Sequence, residues 1–441
     1  SGVLTTLTGA ITGTGYSLTI GGSGDTTFSA GLNTSTNGTL TKNGTGTLTL
    51  SAAGSYTGAT TVNAGIVDVK NNTALGTSAG ATTVALNAAV QIDGSGLSIA
   101  EAFTLTGTGV STAGAIRNLA NNNTLSGLIT LSSSAVRINS DSGTLTLDVS
   151  SGNAITATNI NVTFGGSGNI TVADPIATGT GTLTKDGSGS LTLSGANTYS
   201  GGTTLSAGTL YIGVNTVYSS GITSSAIGTG TLTLGSATIS SSANTTGGDR
   251  TIYNAVAFSS SPTTTIFGDG TYTGILNFQT GGFDLGSSAA RTFTINTTTN
   301  IANTITGTSS SITKGGTGTL TLSGANTYTG GTTISNGVVK AGIAPVGSIT
   351  SGAFGTGSVT VSSGGAIDLN TYTVPNLLSL SGTGYSSSGA LYNSHASTGA
   401  TASGNITLAA DTTIKNSGSG TLTLSGTING AQALTITNTG S

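Results

Sequence analysis

The sequence predicts an all-β protein that folds as a parallel β-helix, a β-solenoid of roughly 18–22 turns. Apolar residues alternate with threonine and serine, which is typical of strands with one buried and one exposed face. Glycine fills 73 of the 441 positions and separates the short strand-like segments. A phrase with a single lysine, GTLTKNGTGTLTLS at Gly38–Ser51, comes back three more times. Alternation, glycine corners and repetition together indicate stacked turns of one chain.

The composition excludes several classes of protein. Charged residues make up 5% of the chain, against roughly 25% in an average globular protein, which argues against a set of ordinary globular domains. The 35% of hydrophobic residues argue against disorder, because they supply enough apolar surface for a thin, continuous core. The chain has no cysteine, methionine or tryptophan and one histidine, which excludes disulfides and cysteine-ligated metal sites.

Charge and hydropathy also limit the partners. The net charge is −3 and no basic block occurs, so we expect no nucleic-acid partner. No apolar run approaches the ~20 residues of a membrane-spanning helix, so we expect no membrane insertion. The chain begins at Ser1 without a signal-like segment, and we expect any targeting peptide to lie outside it.

The lysine phrase belongs to a longer unit. In its first three copies it runs on into a second signature that contains a tyrosine, a pair of threonines and a glycine. Leucine falls on alternate positions of each phrase, as in Leu48 and Leu50, and Asn-Gly or Gly-Thr-Gly marks the corners. The landmarks of the long unit lie at 38–69, 181–213 and 311–342, with a truncated copy at 413–430.

No linker-like change in composition interrupts the chain, which predicts one continuous solenoid over residues 1–441. With roughly 20–25 residues in a turn and ~4.8 Å between turns, we expect a rod about 90–100 Å long. Threonine and asparagine should stack over like residues on its surface, with leucine and valine inside.

The segment Gly181–Gly213 resembles the passenger-associated transport repeat, also called the autotransporter-associated β-strand repeat. Ser311–Gly342 is nearly as similar; the first copy departs at SAAGSYTGATT, and the fourth stops after TLTLSG. These segments cover about a quarter of the chain. The resemblance implies a right-handed β-helical passenger, secreted or held at the surface of a Gram-negative-type bacterium. It also implies that the repeat assists export and folding and carries no catalytic residue.

The two ends of the sequence are alike. Gly420–Ser441 aligns with Gly2–Ser23, each running from a Gly-x-Leu step through Gly-Ala-Ile or Gly-Thr-Ile to a Leu-Thr-Ile strand. Neither end has the polar character of a solenoid cap, and open strand edges invite pairing with another chain. We therefore predict that copies associate end to end through these segments into a filament.

The most regular charged residues are the phrase lysines Lys42, Lys185, Lys314 and Lys415. Alternation gives Lys42 the inward side shared by Leu40, so the corner must release its ammonium to solvent or to carbonyls. We interpret these residues as strand-end lysines that extend to the surface and block edge pairing. A catalytic role would need a fixed carboxylate partner, and only Asp186 lies next to one of them.

The tyrosines Tyr56, Tyr199 and Tyr328 share one repeat position. One tyrosine in each long unit is too sparse for a sugar-stacking platform, so we expect them to pack over a corner. His395 alone can form neither a metal site nor a triad, and we place it in a surface loop.

β-Helices also host polysaccharide-degrading enzymes, which need clustered carboxylates. The densest acidic group is Asp141 and Asp148, near Arg137, in variable surface sequence. Gly21–Asp25 departs from a calcium-binding nonapeptide, because its aspartate comes one place early and the motif does not recur. The Gly-Thr-Gly runs lack the helix and the GK[ST] of a phosphate loop. We therefore predict no catalytic, cofactor-binding or metal-binding residue.

The predicted function is mechanical: a non-enzymatic extracellular rod, surface stalk or end-to-end filament. The alternative is an adhesin segment that binds glycans or host surfaces through variable loops such as Tyr218–Ser224 and Tyr385–Ala396. A polysaccharide-degrading β-helix enzyme is the remote alternative.

Overall fold

A computed structural model of the chain describes residues 5–259, 263–346 and 349–439. These residues form an all-β fold in which parallel strands stack as a β-solenoid of about 19 turns, and the predicted fold class is confirmed. Their helical structure is confined to the short helix Thr245–Gly248 and the 3-10 turns Val110–Thr112 and Tyr385–Ser387. In the part of the chain described, no helix is long and apolar enough to cross a membrane.

The chain divides into two compact units, Ser1–Gly230 and Thr231–Ser441. Each unit is built from parallel stacks of short strands, and a polar or glycine corner joins one stack to the next. The prediction of one continuous solenoid over residues 1–441 stays a prediction.

The first unit contains three parallel stacks. The strands of its first stack are Thr5–Leu7, Thr26–Phe28, Thr47–Leu50, Gly65–Val69, Ala88–Ile92, Ile116–Asn118, Val136–Ser140, Val162–Gly165, Leu183–Lys185 and Thr203–Leu205. The second stack comprises Leu18–Ile20, Leu40–Lys42, Thr60–Val62, Ala81–Val84, Ala102–Leu105, Ile129–Leu131, Ile155–Thr156 and Ile176–Ala177. The third comprises Ser98–Ile99, Asn123–Leu125, Thr144–Leu147, Asn169–Val172, Ser190–Leu193 and Thr209–Ile212. Two further pairs complete the unit: Ile11–Thr12 with Leu32–Asn33, and the antiparallel Val217–Tyr218 with Ile222–Ser224.

The register of the second stack separates core from surface. Its inward row contains Val62, Val84 and Leu105, all fully buried, and each such side chain contributes ~1.5–3 kcal/mol when buried. Its outward row stacks like on like, as predicted, with one threonine in each of seven turns: Thr19, Thr41, Thr61, Thr83, Thr104, Thr130 and Thr156.

The second unit is also built from parallel strands, and three of them are ten or eleven residues long. One stack comprises Leu232–Leu234, Val256–Phe258, Phe283–Asp284 and Ile305–Thr306, and a short one comprises Thr373–Val374, Ala400–Ala402 and Leu422–Leu424. The largest comprises Thr238–Ser241, Arg250–Ile252, Thr263–Phe267, Leu276–Phe278, Ala290–Ile295, Thr299–Ile301, Ser311–Gly315, Thr319–Leu322, Thr332–Ala341, Val359–Asp368, Leu378–Gly382, Leu391–Asn393, Ile406–Asn416, Ile428–Asn429 and Leu434–Asn438. A register shift between Ile334 and Asn336 lets one strand pair along two sides of a turn.

Phenylalanine dominates one part of the second unit's core. Phe267, Phe278, Phe283 and Phe293 are fully buried or nearly so, and their rings meet edge to face. The Phe267 and Phe293 centroids are 5.4 Å apart. Edge-to-face pairs add to the stability that area burial gives, so this cluster reinforces turns that lie between two of the repeat copies.

Candidate functional site

Three kinds of buried polar group recur in the copies of the long repeat, and we treat them together as the candidate site. The lysine clusters are built on Lys42, Lys185 and Lys314. The tyrosine–threonine pairs are Tyr56–Thr60, Tyr199–Thr203 and Tyr328–Thr332, and the asparagine bridges are built on Asn197 and Asn326. Every one of these side chains is at most 2% exposed.

Each phrase lysine of the first three copies points into the solenoid. The Lys42 position stacks between Ile20 of the preceding turn and Val62 of the next, so its aliphatic stem joins the apolar row. Lys185 stacks in the same way between Phe164 and Leu205. The interpretation of these lysines as extending to solvent is therefore wrong, because the corner carbonyls meet the ammonium inside the fold.

The ammonium groups join two successive corners. Lys185 Nζ donates to the carbonyl oxygens of Asp186 at 2.6 Å and Gly187 at 3.0 Å in its own corner. It also donates to that of Ala207 at 3.3 Å, 22 positions later in the next turn. Lys42 Nζ makes the same three kinds of contact, and Lys314 Nζ makes two, to the carbonyls of Gly316 and Asn336. Each lysine thus connects its own corner to the one stacked on it.

Burial shifts the proton equilibria of these amines. Loss of solvation lowers the pKa of Lys185 to about 8, with Asp186 opposing the shift, and lowers the pKa of Lys314 to about 7. It lowers the pKa of Lys42 as well, against the charge of Asp25. A neutral amine has two N–H donors, and Lys314 has two carbonyl partners, so its cluster keeps its hydrogen bonds when the proton leaves.

The stability of the fold should therefore depend on the protonation of Lys314. Its pKa lies below the usual 10.5 in the folded chain, so between about pH 7 and 10.5 the unfolded chain holds the extra proton. Raising the pH through that window should stabilise the fold, by at most ~1.4 kcal/mol per pH unit. We expect the melting temperature of wild type relative to Lys314→Met to rise from pH 7.5 to 9.5 in calorimetry. Lys415→Met is the control; an equal pH response in both variants would contradict the prediction.

The fourth phrase lysine differs from the other three. Seven positions separate Lys415 from the following Leu422, whereas six separate Lys42 from Leu48. The extra residue turns Lys415 outward, half-exposed, and gives the inward position to the fully buried Ile414. Asn416 Nδ2 then donates to the Gly420 carbonyl at 2.8 Å, which satisfies the corner without a lysine.

The tyrosine–threonine pairs close the second part of each repeat. The Tyr199 hydroxyl lies 2.6 Å from Thr203 Oγ1, and Thr203 donates to the Ile227 carbonyl at 2.9 Å. The other two copies repeat this chain of contacts, with tyrosine–threonine distances of 2.7 and 2.6 Å. Burial raises the pKa of all three tyrosines. The prediction that they pack over corners is confirmed, and no ring face is open to a sugar.

Removing one of these hydroxyls should have a modest effect. Tyr199→Phe loses the bond to Thr203 while Thr203 keeps its carbonyl partner, so we expect a loss of about 1 kcal/mol in unfolding free energy. Tyr16→Phe is the matched control, since Tyr16 is 68% exposed, and should change little. Urea unfolding of both variants followed by circular dichroism measures the difference. Equal effects in the two would show that the buried hydroxyl contributes nothing specific.

The asparagine bridges extend over three turns. Asn197 Oδ1 accepts from the Ile176 backbone N–H at 2.7 Å, 21 positions earlier. Its Nδ2 donates to the Ala226 carbonyl at 2.5 Å, 29 positions later. Asn326 makes the same two contacts, with Ile305 and Ala353. The first copy has Gly-Ser-Tyr in place of Gly-Ala-Asn-Thr-Tyr and lacks the bridge.

Asp141, Asp148 and Arg137, the group considered for catalysis, do not form one cluster. Asp141 accepts from Arg117 Nε at 2.7 Å, and Asp148 is exposed. Arg137 forms two bonds of 2.8 Å with Asp186, 49 positions away, and reaches Asp141 only through Asn139, to which its Nε donates at 3.2 Å. Within the described residues, no three His, Cys, Asp or Glu side chains could hold a metal ion.

The remaining predicted segments have ordinary roles. Asp25, from the rejected calcium motif, accepts the Thr47 backbone N–H of the next turn at 2.8 Å. His395 lies in a loop, where Nδ1 accepts from the Thr398 backbone N–H at 3.0 Å.

The two variable loops differ from each other. Tyr218–Ser224 contains an exposed antiparallel hairpin. Tyr385–Ala396, predicted as a loop, contains the strand Leu391–Asn393, whose Leu391 and Asn393 are fully buried because they continue the inward row. That part of the loop prediction is wrong.

Sequence reasoning missed the asparagine bridges and the buried Glu101. Two copies share the sequence Gly-Ala-Asn-Thr-Tyr, and this was a signal for the bridges. An asparagine that recurs within a strand-like pattern is expected to be buried, and its side-chain amide must then find hydrogen-bond partners. Glu101 gave no such signal, because it is the one glutamate of the chain and lies outside every landmark.

Comparison with protein families identifies the repeat. The family model described as passenger-associated-transport-repeat matches residues 40–69, 183–212 and 312–341. Each match begins on the strand that carries the lysine and ends with the last residue of a later strand, Gly65–Val69, Thr209–Ile212 or Thr332–Ala341. It therefore encloses one lysine cluster and one tyrosine–threonine pair. A search of curated proteins and a search of solved structures found no match to this chain.

Proposed function

We propose that this chain, which carries three passenger-associated transport repeats in a β-solenoid, is a non-enzymatic extracellular structural protein of a Gram-negative-type bacterium. One observation carries the proposal. In all three repeats the buried lysine and tyrosine–threonine groups bond the corners of successive turns, and each of these side chains is at most 2% exposed. The repeat therefore supplies cohesion between turns, as a rod, surface stalk or filament requires.

Ion pairs between turns support the same function. Lys70 pairs with Asp93 of the next turn, Lys340 with Asp368, and Arg137 with Asp186. With so few charges in the chain, their use between turns leaves a weakly charged surface of threonine, serine, asparagine and glycine. Such a surface suits a coat that resists adhesion and proteolysis.

Assembly into filaments is the finer proposal. The strand Leu434–Asn438 pairs with Ile406–Asn416, and its Ile436 is 66% exposed beside a groove of about 310 Å³ that Ile414, Leu422 and Leu424 also line. We propose that a second copy of the chain covers this groove with its segment Gly2–Ser23, whose sequence aligns with Gly420–Ser441. Residues 2–4 and 440–441 of the two proposed contact segments lie outside the described residues.

Electron microscopy tests the assembly. Purified wild-type protein should form fibres in negative stain, and deletion of residues 431–441 should leave isolated particles. Ile436→Lys should do the same, while Ser151→Lys, an exposed position in the first unit, should not. Fibres of normal length from the deleted chain would refute end-to-end association. Monomeric wild-type protein would leave a rod or stalk as the structural function.

The adhesin alternative has one specific observation in its favour. The hairpin Val217–Tyr218 and Ile222–Ser224 exposes Val217 by 54% and Tyr218 by 47%, an arrangement suited to contact with a sugar ring. Glycan-array binding by the soluble chain that Tyr218→Ala abolishes would favour the adhesin. No binding, or binding unchanged by the substitution, would favour the structural function.

A further inference from the structure

Glu101 is a carboxyl group inside the solenoid with no role in the repeat. It is the only glutamate in the sequence, and it is 4% exposed. It precedes the strand Ala102–Leu105 on the inward side shared by Phe103 and Leu105. In the part of the chain described, no lysine or arginine forms an ion pair with it.

Glu101 ends a line of buried polar groups that starts in the first repeat. The Tyr56 hydroxyl contacts Thr60 at 2.7 Å, and Thr60 is the ladder partner of Thr82 in the next turn. Thr82 Oγ1 then donates to Glu101 Oε1 at 3.0 Å. Thr60 and its equivalents Thr203 and Thr332 all donate to a backbone carbonyl. The third copy does not extend the line, because the ladder partner of Thr332 in the next turn is Val359 and not a second threonine.

The second carboxyl oxygen is unpartnered in the part of the chain that the structure describes, and Glu101 lines a cavity. Glu101 Oε2 has no hydrogen-bond partner among the described residues and is not fully enclosed. Glu101 lines a cavity of about 110 Å³, several times the ~10–15 Å³ that one water molecule needs. The cavity is also lined by the polar residues Asn72, Thr73, Ser78 and Ser98 and by the apolar Leu75.

These groups define the ligand that fits. A desolvated carboxylate without a counter-charge is costly, so a cation is favoured. A divalent ion would need more carboxylate ligands than the single one present. A primary ammonium is compact and has three donors, one for Glu101 and two for the neutral oxygens of the rim. We propose that the Glu101 cavity binds a primary ammonium group at the end of a small molecule or side chain.

Protonation gives a direct readout of binding. Burial raises the pKa of Glu101 to about 7, with the Thr82 hydrogen bond opposing the shift. A bound ammonium stabilises the carboxylate and must lower that pKa. At about nine times the dissociation constant of the amine, the apparent pKa falls by about one unit.

Carbon-13 NMR on the whole chain tests the proposal. Cell-free synthesis with glutamate labelled at Cδ gives one carboxyl signal, because Glu101 is the only glutamate. Methylammonium chloride should lower its apparent pKa, whereas equal concentrations of sodium chloride or tetramethylammonium chloride, which lack N–H donors, should not. If methylammonium follows these salts, the site does not bind ammonium groups. If methylammonium does lower the apparent pKa, the same titration with glucosamine and with Nα-acetyl-lysine amide shows whether the site prefers an amino sugar or a lysine side chain.

Thermal denaturation provides a second measurement. Methylammonium should raise the melting temperature of wild type and of Asp148→Asn, which removes an exposed carboxyl, but not that of Glu101→Gln. Glutamine keeps the acceptor for Thr82, so the variant should fold. An equal rise in Glu101→Gln would overturn the proposal.

Discussion

Replacing Gly208 with alanine should destabilise the fold by about 3–5 kcal/mol, the upper end of single-substitution effects. Gly208 has a φ of +72°, a conformation that costs other residues ~1–2 kcal/mol. A Cβ there would lie 2.3 Å from the Gly189 carbonyl oxygen and 2.7 Å from Lys185 Nζ, so it would also push apart the lysine cluster. Gly65 and Gly337 hold the same place beside Lys42 and Lys314.

Two control glycines separate these contributions. Gly152 has a φ of +84°, but a Cβ at this position would meet only open space, so Gly152→Ala measures the cost of the backbone alone. Gly221 has neither constraint, and Gly221→Ala should stay within about 0.5 kcal/mol of wild type. In urea unfolding, the free energy of unfolding of Gly208→Ala should be well below that of Gly152→Ala and of Gly221→Ala. If Gly208→Ala costs no more than Gly152→Ala, the close approach to the lysine cluster contributes nothing.

The strand pattern could be predicted from the sequence because it is local. Alternation alone assigned Leu48, Leu50, Leu191 and Leu193 to the core, and all are buried. The same alternation placed Lys42 on the inward side. Charged side chains are rarely buried, however, so the lysine was predicted to extend to the surface. Carbonyls from two different turns surround the amine, and a contact between residues 22 positions apart has no signature within either segment.

The placement of the repeats around the solenoid could not be predicted either. In the first copy the lysine strand Leu40–Lys42 lies in the second stack, whereas in the second copy Leu183–Lys185 lies in the first stack. Lys42 and Lys185 are 143 positions apart, which is not a whole number of turns. Turn length varies with loop insertions, so the side on which a copy falls depends on every turn before it.

The asparagine bridge should be the other large contribution to stability. Asn197→Ala removes partners from the Ile176 N–H and the Ala226 carbonyl, both buried, and each orphaned group costs ~1–3 kcal/mol. We expect a loss of about 2–4 kcal/mol in urea unfolding. Asn197→Asp keeps an acceptor for Ile176 but no donor for Ala226, and it adds a buried charge, so it should not rescue stability. The control Asn429→Ala, at an exposed strand position, should change little; an equal loss there would contradict the bridge.

The first repeat provides a natural test of the same bridge, because it has none. Its tyrosine carbonyl accepts the Thr77 N–H at 2.9 Å, as the Tyr199 carbonyl accepts that of Thr229 at 2.8 Å in the bridged second copy. If the amide holds three turns together, the unbridged corner should open more often. The Thr77 amide should then exchange with deuterium faster than the Thr229 amide in wild type. In Asn197→Ala the Thr229 rate should rise towards that of Thr77, because the two corners would then depend on the same lysine and tyrosine contacts.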